Sequence, residues 1–462
     1  VAPQRSTLVL VAVALPLVVL SIDFSGVAVA LPQIGEDFGV SSAATGWVIN
    51  AFALGAAGPL LVSGRTSDRL GRRRMLLSGV GLFCAGTLGA ALAPTFGVLV
   101  LARVVQGLAT SLFMTASLST VSNTFTGDRR AWGIGMWSAI GSTAAAAAPV
   151  VGGTVVEWLG WRWFFAMNVP LLLVAAAMIV RDVPETFGDR RPVDVLGAVL
   201  ATASVTLVVL GLQEAGTYGW SSPWVSIPIG LGVVLFVVFV VQQRRTSDPL
   251  IEPAIARARQ YRPPVGVAFL ANWGFGALNI LLTFWLQEVR GLSASTTGLV
   301  FLAYSVPFAV LGALTGRVVP RWGSRAPMVV GMALVTASFV TLTTLGSTSP
   351  IGVVLVAMAL SGVGQGLAYN VSTTAAMASV PDEDAGVASG LLTALRNVGV
   401  AAGVAVATLA TAAPDGVKGA AADADFAAGL SRAAWSIAAV SLLGLVVALF
   451  AAVRPGVTAA SG

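Results

Sequence analysis

Fourteen runs of about twenty mostly apolar residues, separated by short polar stretches, dominate this chain. Runs of that length match helices crossing roughly 30 Å of hydrocarbon, and they are too continuous for the alternating strands of a membrane barrel. The spans read as 8–33, 44–63, 75–93, 97–122, 133–155, 163–180, 194–213, 223–242, 264–287, 295–316, 327–346, 351–377, 387–411 and 432–453. Of the 462 residues, 56% are hydrophobic and only 10% charged, against about 25% charged in soluble domains. The expected fold is an all-α polytopic membrane protein whose partner is the lipid bilayer.

An even number of spans puts both ends on one side. With the N-terminus inside, 20 of the 26 basic residues fall in cytoplasmic segments and only Arg162, Arg290, Lys418 and Arg432 outside. That bias fits the tendency of Arg and Lys to remain on the cytoplasmic side. The net charge of +6 is therefore topological, and nucleic acid is not an expected partner. Lys418 is the sole lysine; with the Ala, Val and Gly load, this suggests a GC-rich bacterial genome. Val1 is compatible with a non-ATG start or with trimming. Ala28-Val29-Ala30 resembles a signal-peptidase site, but the apolar run is too long for a cleaved signal.

Several chemistries lack their residues. Histidine is absent, so no imidazole carries protons or binds metal, and Cys84 alone can form no intramolecular disulfide. Gly362-Val363-Gly364-Gln365-Gly366 lies inside a span, without the strand–turn–helix setting of a nucleotide loop. No cofactor and no enzymatic activity are expected. Trp158, Trp161, Trp220 and Trp224 sit near span ends and read as interfacial anchors.

The chain repeats itself weakly. The segment 64–73 aligns with 316–325 at an offset of 252, and Gln106-Gly107-Leu108-Ala109 recurs as Gln365-Gly366-Leu367-Ala368 at an offset of 259. The layout is two pseudo-symmetric six-helix bundles with two inserted helices. Residues 1–191 form the first bundle, 192–243 the insertion, 244–263 a cytoplasmic linker and 264–462 the second bundle.

Asp23 is the one carboxylate in the middle of an apolar span. Intramembrane ionisable groups are expensive and functional by default, so Asp23 is the candidate proton carrier, with a structural carboxylate as the bland alternative. Arg103 cannot shed its proton and needs carbonyls, water or a carboxylate at that depth. Gln106, one turn along, can share those contacts. Arg396 in span 13 reads as structural. Gly64 and Gly71 permit tight turns, and Asp68 can accept bonds from arginine or a helix N-terminus, with Arg69 and Arg72 beside it. Pro149, Gly152 and Gly153 promise a kink and close helix packing. Near mid-span lie Phe24, Asn50, Phe52, Met114, Met136, Trp137, Asn272, Trp273, Asn279, Tyr304, Tyr369 and Asn370. As a set they suit an amphipathic, partly aromatic small molecule.

These motifs resemble the major facilitator superfamily and, within it, the fourteen-span drug:proton antiporters, over nearly the whole chain. Gly64-Arg65-Thr66-Ser67-Asp68-Arg69-Leu70-Gly71-Arg72-Arg73 is similar to its loop 2–3 motif, Arg103-Val104-Val105-Gln106-Gly107 to its fourth-span motif, and Pro149-Val150-Val151-Gly152-Gly153 to its fifth-span antiporter motif. Trp161 to Pro170 is the most characteristic match to the fourteen-span branch, and Asp23 followed by Leu31-Pro32 resembles the first-span motif. Ala148, Thr115 and Pro320 depart from the family pattern.

The resemblance implies proton-coupled efflux of drug-like compounds by alternating access, in a monomer. Asp23 and Arg103 would couple protons in a water-accessible crevice, the 64–74 loop would latch the cytoplasmic side, and the fifth-span motif would suppress leak. A dedicated exporter of one metabolite or self-made antibiotic is the alternative, and a non-transporting receptor or scaffold the second.

Overall fold

The computed structural model describes residues 3–125, 128–187, 194–246, 249, 258–380, 385–411 and 420–451. Among them the chain is helical and holds no strand. The helices are α1 (Pro3–Gly26), α2 (Leu31–Phe38), α3 (Ser42–Leu70), α4 (Arg72–Ala91), α5 (Phe96–Thr124), α6 (Asp128–Leu159), α7 (Trp161–Ala166) and α8 (Asn168–Asp182). They continue with α9 (Val195–Tyr218), α10 (Pro223–Arg245), α11 (Arg262–Phe284), α12 (Ala294–Trp322), α13 (Arg325–Leu342), α14 (Ile351–Met377), α15 (Ala385–Thr411) and α16 (Ala420–Leu449).

Thirteen of these helical stretches are long and apolar enough to cross a membrane. A fourteenth span is α3, whose halves Ser42–Ala57 and Val62–Leu70 are bent by 58° around Pro59, where the missing N–H breaks the helical ladder. The protein is a multi-pass membrane protein with the span count expected from its apolar runs. The first span is longer than expected: α1 passes through a 3₁₀ turn at Val27–Ala30 into α2, so it reaches Phe38 rather than residue 33.

Polar residues fix the helix ends. The Ser41 hydroxyl accepts the Ala44 amide at 3.3 Å, Thr95 accepts Val98 at 3.4 Å, and Asp194 accepts Gly197 at 2.8 Å. Each satisfies an amide that the helix itself leaves unpaired.

The chain divides into two compact units, Val1–Leu250 with Asn279–Leu302, and Ile251–Leu278 with Ala303–Gly462. The first has its core where Val13 and Leu17 of α1, Phe83 of α4, Phe113 of α5 and Trp137 of α6 pack together. In the second, Val267, Met328, Met332 and Val371 form one cluster, and Tyr261, Ala388 and Leu392 another.

The inserted helices α9 and α10 belong to the first unit. They are mostly uncovered, with 28% and 17% of their apolar windows buried. Asp194 at the head of α9 also accepts Gln242 at 3.1 Å and Gln243 at 2.6 Å from the tail of α10. Gln213 of α9 bonds Asn50 of α3 and the Ala43 carbonyl at 2.7 and 2.6 Å.

Candidate functional site

Asp23 and Arg103 meet inside the first unit. Both side chains are fully buried and joined by a charge-assisted hydrogen bond between Arg103 Nη1 and Asp23 Oδ2. Arg103 Nη1 also donates to Gln106 Oε1 at 2.8 Å, and its Nε to the Val48 carbonyl at 2.8 Å. Gln106 Nε2 donates to Asp23 Oδ1 at 3.3 Å and to Thr87 Oγ1 at 2.9 Å. The guanidinium stands over the Phe52 ring at 4.6 Å and the Phe165 ring at 5.7 Å. Arg103 Nη2 is buried without a hydrogen-bond partner. A water-accessible crevice was expected around Asp23; here the carboxylate is fully buried, with Arg103 bonded to one oxygen and Gln106 to the other.

Close helix crossings make this network possible. A Cβ at Gly107 would strike the Phe52 carbonyl oxygen, and one at Gly55 would lie 2.6 Å from the Val104 carbonyl. Only glycines let α5 lie so near α3 that Arg103 reaches the Val48 carbonyl. Gly26 and Gly152 do the same for α1 and α6: a Cβ on Gly152 would come within 3.0 Å of the Gly26 carbonyl. The neighbouring Gly153 faces the Ala294 carbonyl, and the Pro149 carbonyl faces Gly298. The expected 149–153 packing motif therefore lies between α1 on one side and the start of α12 on the other. Glu157, two turns beyond Pro149 on α6, accepts the Ser295 amide at 2.9 Å.

The 64–74 loop differs from its sequence reading in two respects. Gly64 lies within α3 with nothing near its missing Cβ, so it makes no turn. Gly71 does: its φ is +103°, and a Cβ there would sit 2.5 Å from Glu185 Oε1. Asp68 pairs locally with Arg72, at 2.7 Å. The longer-range connection runs instead through Glu185, which accepts the Arg73 amide at 3.0 Å at the start of α4, while Arg72 donates its amide to the Thr186 carbonyl at 2.9 Å. Arg69 is exposed.

The mid-span residues divide. Asn50 is committed to Gln213, Trp137 donates to Ser117 at 2.8 Å, and Asn272 donates to its own helix at Ala268. Phe24 packs on Phe52 with ring centroids 5.5 Å apart, and Met114 lies against the same core. Met136 is exposed, and Asn279 is buried in the first unit. In the second unit Trp273 meets Phe269 edge to face with centroids 6.0 Å apart, while Tyr304, Tyr369 and half-buried Asn370 line neighbouring helices.

Trp161 is not an interfacial anchor. It is buried, and its indole donates to Asp37, which also takes Arg162 Nη1 at 2.5 Å. Trp158, Trp220 and Trp224 are exposed as anchors should be. Thr87, Val48 and Phe165 were missed as partners of Arg103 and Gln106. Thr87 and Val48 carried no signal, whereas Phe165 lies in the Trp161–Pro170 motif.

A family model described as Major Facilitator Superfamily matches residues 13–404. The chain is 33% identical over 405 residues to the multidrug resistance protein Stp of Mycobacterium tuberculosis, covering 87% of this chain and 75% of that one. It is 31% identical to the tetracenomycin C resistance and export protein of Streptomyces glaucescens, covering 86% and 74%. Among solved structures, a peptide transporter, POT, in complex with sulfate superposes with a TM-score of 0.70, covering 98% of this chain and 96% of that one. At 16% identity that likeness shows the fold alone.

Proposed function

Since the chain belongs to the Major Facilitator Superfamily, we propose that it exports drug-like amphipathic compounds across the bacterial inner membrane in exchange for protons, by alternating access. Named relatives that confer multidrug resistance or export an antibiotic support the direction and the cargo class. Both termini face the cytoplasm in this reading, as the distribution of arginines suggests, and one chain suffices.

The observation that carries the coupling is the buried Asp23–Arg103 pair. Together the two charges are neutral, and a neutral pair is tolerated in an apolar core. A proton arriving at Asp23 removes the negative partner while Arg103 stays charged. An uncompensated buried cation costs several kcal/mol, so protonation pushes the first unit away from the closed arrangement and toward one that admits water. Gln106, bonded to both groups, holds the pair in register. Loss of the proton restores the pair and the closed packing. The 64–74 loop and the Pro149–Gly153 segment are the elements this opening must disturb as the two six-helix bundles rock.

The test is proton release on adding candidate drugs to the detergent-purified protein. Wild type releases protons as substrate binds, and Asp23→Asn does not. Equal release by both proteins eliminates Asp23 as the coupling group. The tetracenomycin relative favours a second reading, dedicated export of one compound. Proton-driven efflux of chemically unrelated dyes separates the two.

A further inference from the structure

The second unit holds a buried arginine that, unlike Arg103, pairs with no acid among the described residues. Arg396 of α15 is 8% exposed. Among the described residues no carboxylate stands within ion-pair distance of it. Its Nη2 donates to the Tyr369 carbonyl at 3.2 Å and to Thr373 Oγ1, both on α14, and its guanidinium lies 3.9 Å from the Tyr369 ring centroid. Its Nε is buried with no hydrogen-bond partner. A desolvated guanidinium with an unused donor is expensive to keep, and it prefers a planar anion that takes two of its N–H groups at once.

An aromatic row runs up to it. Phe275 of α11 lies 5.7 Å from Tyr304 of α12, and Tyr304 stacks on Phe308 at 5.9 Å with the rings 12° from parallel. Phe308 meets Tyr369 at 5.7 Å. Three helices of one unit thus supply successive ring contacts, and a fourth, α15, supplies the cation at their end. The repeat sharpens the contrast. The position matching Arg103 at the 259-residue offset is Gly362, packed against the Tyr304 backbone. Among the described residues the second unit holds no counterpart of the Asp23–Arg103 pair, and α15 supplies a cation elsewhere.

We propose that Arg396 and the ring series Phe275, Tyr304, Phe308 and Tyr369 form an anion subsite that takes the carboxylate, phenolate or sulfonate of a flat aromatic substrate. The subsite rests on the export reading and deepens it: the first unit handles the proton, and the second selects cargo by charge. Thr373 and the Tyr369 carbonyl hold the guanidinium through Nη2 and leave Nε for the incoming anion, and the rings hold the apolar body.

Two xanthene dyes of opposite charge test it, fluorescein as the anion and rhodamine 123 as the cation, with binding to the full-length purified protein read by fluorescence anisotropy. Wild type binds fluorescein more tightly than rhodamine 123. Arg396→Gln weakens fluorescein about 10- to 100-fold, the worth of a hydrogen bond to a charged group, and leaves rhodamine 123 unchanged or tighter. Arg396→Lys, which keeps the charge but loses the fork, retains part of the fluorescein preference. Equal losses for both dyes in Arg396→Gln mark a structural tether and overturn the subsite, as does a wild type that prefers rhodamine 123, a comparison that needs no folded variant. Asp23→Asn should keep the dye preference while losing proton release, so failure of the coupling reading and failure of the subsite appear in different measurements.

Discussion

Asn50 donates its side-chain amide to Gln213 Oε1 at 2.7 Å in a buried contact 163 residues apart in sequence. Through it an inserted helix, α9, grips the helix that supplies Val48 to Arg103. Replacing Gln213 by alanine strands the Asn50 amide and is expected to lower stability by about 1–3 kcal/mol. Thermal unfolding in detergent should show the loss. Val237→Ala on the exposed face of α10 is the control and should leave the melting temperature unchanged.

The Asp23–Arg103 pair makes a thermodynamic signature. Asp23→Asn and Arg103→Gln each leave one buried charge alone, and each is expected to destabilise by about 3–5 kcal/mol. The double variant Asp23→Asn/Arg103→Gln buries no charge and should recover most of that stability while still failing to couple protons. A double-mutant cycle in thermal unfolding, run beside the proton-release assay, checks both halves. Additive losses in the double variant would mean that the two side chains do not act as a pair.

At the 64–74 loop the decisive residues are Gly71 and Glu185 rather than Gly64. Gly71→Ala puts a Cβ at positive φ and into the Glu185 carboxylate, so transport turnover in reconstituted vesicles should fall severalfold. Glu185→Ala should slow turnover in the same way by uncapping α4. Asp68→Asn removes a partly exposed i,i+4 pair worth under about 1 kcal/mol. Its effect on stability should be slight, and a large effect on turnover would show that Asp68 changes partners during the cycle.

Gly153→Val wedges a side chain against the Ala294 backbone and should hold α6 and α12 apart. Overpacking of this kind costs about 1–3 kcal/mol. The expected phenotype is faster collapse of an imposed pH gradient in substrate-free vesicles, followed with a trapped pH dye. Decay at the wild-type rate would reduce the motif to ordinary packing.

Much of this was legible in the chain because a bilayer enforces a simple grammar. Twenty apolar residues between polar loops can do little else, so each span found its helix, although α3, α12 and α16 extend well beyond the spans read for them. Asp23 and Arg103 stood out as charges where charge is costly, and Gln106 followed from helical spacing. Their remaining partners did not. Thr87 and the Val48 carbonyl come from other helices and are ordinary residue types with no local mark. Glu185 looked like any loop acid, and its role appears only when the end of α8 is seen beside the start of α4. Trp161 misled for the same reason: position near a span end suggested the interface, but α2 carries the first span on to Asp37, which takes its indole. The distinction between Gly64 and Gly71 depends on where α3 ends, which is the boundary that periodicity resolves least.

The clasp between Asp194 and the glutamines of α10 frees the rest of the hairpin from holding itself together. A helical hairpin that fastens its own open end meets α3 through Asn50, the Ala43 carbonyl and Trp47, which reaches Glu214 at 3.3 Å. Its exposed faces can therefore change in sequence while the machinery around Arg103 is left intact.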